Sequence, residues 1–142
     1  MGFFNKLFGG RKEYPEIDAA SPAARRLGEL KQPLESLLQE VKDPVEVVPV
    51  GPRPLVFIGK PPKRFGLAWI EGERVKNLKN LAEEHSVAPD RMGRIVDELR
   101  RAYQQCENEP RFQMKLGDRT VVVAPSERLE HEVEEILHRV ES

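Results

Sequence analysis

Hydrophobic positions change period several times along the chain, and each change marks an element. Leu27, Leu30, Leu34, Leu37 and Val41 recur at spacings of 3, 4, 3 and 4, an apolar seam on one helix face. Ser21-Pro22 ahead of the seam supplies a hydroxyl N-cap and a proline suited to the first helical turn. A helix is therefore expected over 21–43, bent or split by Pro33. Five seam positions are too few for a coiled coil, so the seam is assigned to the chain's own core or to a homodimer contact. "DPVEVVPVGPRP" reads as an extended connector over 44–54 because proline punctuates it. "LVFIG" and "FGLAWI" have strand character and flank the turn "KPPKR". They form either a hairpin with a basic tip at Lys60, Lys63 and Arg64 or, given Pro-Pro, a pair whose first strand is an isolated edge.

From Arg74 the period becomes helical, with Val75, Leu78, Leu81, Ala82 and His85 on one face of an expected helix over 74–87. Pro89 opens a second helix over 89–106, with Met92, Ile95, Val96, Leu99, Tyr103 and Cys106 as its apolar stripe. "RFQMKL" and "RTVVVAP" then read as two strands over 111–124, turning at Gly117-Asp118. Ser126 caps a last helix with Leu129, Val133, Ile136, Leu137 and Val140 inward.

Strand, helix, turn, helix and hairpin in that order resemble the winged helix-turn-helix family over roughly residues 65–124. In that family an alanine in the first helix permits close packing, and Ala82 stands there after Leu81. An apolar residue follows the turn, matched by Val87, and two apolar positions lock the second helix, matched by Met92 and Ile95. The turn position is usually glycine because its backbone favours positive φ; here it is Ser86, a departure. More loosely, the long second helix ending near a tyrosine, followed by a wing and a terminal helix, is similar to the winged helices of bacterial segregation and condensation protein B, which bind proteins. The resemblance implies an α+β, winged-helix-like domain over 55–142. An N-terminal helix, a short upstream strand pair and a C-terminal amphipathic helix are added to it.

The chain has 142 residues, 39% hydrophobic and 33% charged, with a formal net charge of −1. Such a balance supplies no global attraction to nucleic acid, so any such binding would need a local basic patch. Cys106 is the single cysteine, which excludes an intrachain disulfide and a cysteine-based zinc cage. No apolar run approaches the roughly 20 residues of a membrane span. The N-terminus lacks a secretory signal's apolar core. Residues 1–20 are expected to be a flexible tail and linker. Their start, "MGFFNKLFGG", places Phe3, Phe4, Leu7 and Phe8 at near-helical spacing, with Lys6, Arg11 and Lys12 able to face anionic headgroups. These rings either dock weakly on a membrane or partner, or pack on the domain itself.

The outward positions of the second helix are Asp90, Arg91, Arg94, Asp97, Glu98 and Arg101. Arg94 with Glu98, and Asp97 with Arg101, are four apart and expected to pair, which would make these cations less available to phosphates. From residue 74 onward, Lys and Arg number 12 against 14 Asp and Glu. No set of catalytic groups converges, and no cofactor or metal is implied. His85, His131 and His138 lack ligand partners at metal spacing, Cys106 sits in an apolar stripe, and "FGGRK" lacks a phosphate-loop spacing. Trp69 is expected in the core or against the wing. The acidic last helix, with Glu127, Glu130, Glu132, Glu134 and Glu135, is expected to be a solvated face. The expectation is a bacterial-type cytoplasmic, non-enzymatic protein-interaction module with an unnamed protein partner, drawn peripherally to the inner face of the membrane by its N-terminus. The alternative is a DNA-binding regulator using Lys60, Lys63, Arg64, Arg91, Arg94 and Arg101.

Overall fold

The computed structural model describes residues 14–60 and 64–142, which hold five helices and a six-stranded sheet. In chain order these are α1 (Pro22–Glu29), α2 (Lys31–Glu40), β1 (Val45–Val48), β2 (Leu55–Lys60), β3 (Arg64–Glu71) and β4 (Arg74–Asn77). Then come α3 (Leu78–Glu84), α4 (Pro89–Gln105), β5 (Phe112–Leu116), β6 (Arg119–Val123) and α5 (Glu127–Glu141). The strands lie in the order β4-β3-β2-β1-β6-β5. Neighbours are antiparallel except β1 and β6, which run parallel.

Alternation along the strands builds two cores, one on each face of this α+β sheet. Leu55, Phe57, Leu67 and Trp69 face Leu81, Ile95, Leu99, Leu129, Val133 and Leu137 from the later helices. Val45, Val47, Val56, Ala68, Ile70, Val121 and Val123 face Leu27, Leu34, Leu37 and Leu38 of α1 and α2. The seam of Leu27, Leu30, Leu34, Leu37 and Val41 thus lies on the chain's own core, Leu30 and Val41 at its half-buried margin.

The helix expected over 21–43 is two helices. Pro33 lacks the N–H that would bond the preceding turn, and the chain breaks at Leu30 (φ −98°, ψ 10°). Ser21 caps α1 by accepting from Ala24 N at 3.2 Å. The expected connector over 44–54 contains β1, a central strand buried at all four positions. Its prolines, Pro44 and Pro49, stand outside the strand and leave its ladder intact. The helix expected from Arg74 starts late, because residues 74–77 are β4. Gly72 at φ 64° turns the chain, and Glu71 pairs with Arg74. Asn77 then caps α3 through a reciprocal bond with Asn80, both at 3.0 Å.

Between α3 and α4, Ser86 has φ 51°, the left-handed conformation expected at this turn. The buried residue of α3 is Leu81, and Ala82, expected to permit close helix packing, is half-buried. The hairpin β5–β6 turns at Gly117-Asp118 as expected, yet it is not a projecting wing. β6 is bonded to β1, and Gln113 of β5 exchanges bonds of 3.0 and 2.9 Å with Ile17 and Pro15. Residues 15–17, expected as free linker, therefore lie on the outer edge of β5. Arg119 of β6 ties the sheet to the end of α2, donating to Leu38 O at 3.1 Å, to Val41 O, and to Asp43 O at 2.6 Å. Phe3, Phe4, Leu7, Phe8 and Lys63 lie outside the described residues.

Candidate functional site

α4 forms because Pro89 suits its first turn and because the stripe Ile95, Leu99, Ala102, Tyr103 faces the core. α5 forms behind Ser126, whose hydroxyl accepts from Leu129 N at 3.1 Å. The two helices pack through Ile95, Ala102, Ile136 and Val140. Their outer flanks leave a groove of about 400 Å³ lined by Arg91, Arg94, Ile95, Asp97, Glu98 and Arg101 of α4, with Ile136, Arg139 and Val140 of α5. A second hollow of about 190 Å³ continues it, lined by Glu98, Arg101, Ala102 and Gln105 together with Glu132, Glu135, Ile136 and Arg139. Residue numbers rise along α4 as they fall along α5 through the two hollows, so the helices run antiparallel.

The pairing differs from the helix-spacing expectation. Asp97 meets Arg100 at 3.4 Å, not Arg101, and Glu98 meets Arg139 of α5 at 3.0 Å, not Arg94. Four-residue spacing brings two side chains within reach, but a cation on the neighbouring helix captures Glu98 first. Arg91, Arg94 and Arg101 are left without a side-chain hydrogen bond or ion pair among the described residues. The structure thus brings three of the six expected cations to one flank. It does not add the others. Lys60 is exposed at the end of β2, and Arg64 opens β3 opposite it. Phe65, next to them, sits under Arg100, 6.0 Å from ring centre to guanidinium. At about 100° per residue, Arg100 is roughly 120° around α4 from Arg94. The ends of β2 and β3, at Lys60 and Arg64, are therefore toward a different flank. The β5–β6 turn is elsewhere again, beside Glu35 of α2.

Comparison with protein-family models, curated proteins and solved structures finds no match for this chain.

Two buried charge clusters form around Arg53, Glu46 and Arg111, residues that no spacing or motif singles out. Arg53 donates to both oxygens of Glu134 (2.8 and 2.9 Å) and of Glu141 (2.7 and 2.8 Å), and reaches Glu71 at 3.4 Å. Its guanidinium also lies 5.3 Å from the Trp69 ring centre. Burial pulls the Arg53 pKa down, but the bonds from Glu141 and Glu134 outweigh it and hold the cation. The same bond from Arg53 pulls Glu141 below the ordinary carboxylate value. Glu134 is consequently buried, against the expectation that it shares a solvated face with Glu127, Glu130, Glu132 and Glu135. The second cluster joins Glu46 of β1 to the Tyr103 hydroxyl at 2.9 Å and to Arg111 at 3.3 Å. Burial raises the Glu46 pKa, while Arg111 and Tyr103 oppose the rise. Arg111 also donates to Cys106 O at 2.6 Å and Glu109 O at 2.8 Å, closing the end of α4. Sequence offers one signal, for the second cluster alone: Glu46 stands as a single charge within the apolar run "VEVV".

The remaining candidates fall into place simply. Cys106 is fully buried and its thiol is pushed up by desolvation. Trp69 is core. His131 and His138 are exposed and face Glu135 at 3.2 Å and Glu134 at 3.6 Å. Among the described residues, no helix is long and apolar enough to cross a membrane.

Proposed function

We propose that this chain is a non-enzymatic protein-interaction module whose docking face is the groove between α4 and α5. One observation carries the reading: Arg91, Arg94 and Arg101 stand unpartnered, among the described residues, around a groove that also holds Asp97, Glu98, Ile136 and Val140. A mixed border of cations and carboxylates over a small apolar floor suits a protein surface, whose charges also alternate. It suits a phosphate backbone poorly, since Asp97 and Glu98 would face like charge. The Phe-rich N-terminus, Phe3 to Phe8, would bring the module to a membrane surface or partner. Deleting residues 1–10 should then lower liposome association and leave the melting temperature unchanged.

The second reading, a winged-helix-like DNA-binding regulator, is favoured by the left-handed Ser86 turn and by the three unpaired arginines on the helix that follows it. One pair of measurements separates the two. A photo-crosslinking residue at position 94 should give a discrete protein adduct in cells, and one at Arg25, exposed on α1 over the opposite face of the sheet, should not. Duplex DNA should bind at about 10⁻⁴ M or weaker at physiological salt, without sequence preference. Nanomolar, site-selective binding that Arg91→Ala with Arg94→Ala destroys would establish the regulator instead.

A further inference from the structure

The groove is electrically polar along its length. Its end near the start of α4 presents Arg91 and Arg94, neither with a partner among the described residues. Its other end, near Gln105, presents Glu132 and Glu135 of α5. Between them Glu98 is matched by Arg139 at 3.0 Å, and Arg101 stands over Ile136 and Ala102. Helical rise puts Arg94 and Gln105 roughly 16 Å apart. The basic end thus carries two unpaired arginines, its Asp97 being held by Arg100 at 3.4 Å, and the acidic end carries two glutamates; both lie on one open face, about three helical turns apart.

A face with this pattern is complementary to itself. A two-fold axis lying in the contact plane, perpendicular to the groove's length and passing near Arg101 and Arg139, turns the basic end of one copy onto the acidic end of the other, and the reverse contact forms at the same time. Each helix then runs antiparallel to its own symmetry mate, and Arg101 with the Glu98–Arg139 pair, which cover the buried Ile136 and Ala102, meet their mates at the centre. We propose that the occupant of this groove is a second copy of this chain, held in an isologous dimer by Arg91 and Arg94 against Glu132 and Glu135. The inference rests on the proposed docking role of the groove and names its partner. Both ends are exposed charge and the centre is polar, so the dimer is weak and sensitive to salt. His131, 3.2 Å from Glu135, is at the acidic end and must turn aside for the cross-contact to form.

The test is sedimentation of the full chain at concentrations from 1 to 200 micromolar (roughly the range in which weak interfaces dissociate) and at two salt concentrations. The wild type should dimerise at low salt and dissociate on salt addition. Arg94→Glu should weaken self-association about tenfold or more, and Glu135→Arg should do the same. Mixing the two variants should restore the dimer, because each position 94 then meets an opposite charge at position 135 in both contacts. Circular dichroism melts check that both variants remain folded, as exposed positions should. A wild type monomeric across the range overturns the dimer. So does a dimer that either reversal leaves unchanged, or a mixture that stays monomeric. If the chain is monomeric and position 94 still crosslinks to a different protein, this inference fails while the docking reading stands.

Discussion

The two flanks of α5 differ in how their charges are held. On the flank toward β3, Glu134 and Glu141 share one guanidinium, Arg53, which is largely buried and stacked near Trp69. On the flank toward α4, Glu132 and Glu135 border an open groove in which three arginines have no partner among the described residues. The first arrangement is closed and bidentate, so removing one member strands the others in a poor solvent. The second is open, and water already solvates each charge. The same residue types on the same helix hold the fold together on one side and leave a surface free to bind on the other.

The comparison breaks most sharply at Arg53. Arg53→Met leaves buried Glu134 with only the exposed His138, 3.6 Å away, and should cost about 3–5 kcal/mol in urea unfolding. A loss under about 1 kcal/mol would mean that Glu134 finds water and that the closed flank is not closed. A pH series sharpens the same point. The folded pKa of Glu141 is lowered, so its contribution is fully present above its ordinary value of 4.5 and is lost as pH falls through the lower folded value. The stability gap between wild type and Glu141→Gln should therefore be largest near neutral pH and shrink below 4.5. A gap independent of pH would remove the ion pair as its cause. Smaller again is Ser86→Gly. Relief of the left-handed backbone at φ 51° should stabilise by about 0.5–1 kcal/mol. Arg94→Ala and Arg101→Ala, on the open flank, should shift stability by no more than about 0.5 kcal/mol. A larger loss at either position would place it with Arg53 among the structural arginines.

Local pattern alone makes several elements legible. β2, β3, α4, the β5–β6 hairpin and α5 each carry an unbroken period or a clear cap, and they stand close to where the residues put them. β1 is hidden because proline marks its surroundings, although neither Pro44 nor Pro49 lies in its ladder. β4 is hidden because Val75 and Leu78 have helical spacing, while Gly72 has already committed the chain to a hairpin. The six-stranded sheet is not legible, because the parallel pairing of β1 with β6 joins residues far apart in sequence. At the candidate site, the outward placement of Arg91, Arg94 and Arg101 follows from helix periodicity. Their freedom does not, since Glu98 is captured by Arg139 from a helix forty residues on. The Arg53 cluster lacks a local spacing altogether: its partners are 18, 81 and 88 residues away.

The parallel contact between β1 and β6 sets an order on the birth of the molecule. Val47 pairs with Val123, and Ala124 N bonds Val47 O at 2.8 Å, so the edge of β1 has its partner only when β6, late in the chain, has been made. Until then β1 to β4 can form a meander from local turns, with low loop-closure cost. That meander carries the strand "VEVV" along an open edge while the ribosome adds the forty-odd residues that separate β4 from β6. Nascent chains stalled before β6 would expose this edge to strand-on-strand association with one another. Translation speed through residues 78–119, more than the stability of the finished sheet, then governs how much of the protein is recovered folded.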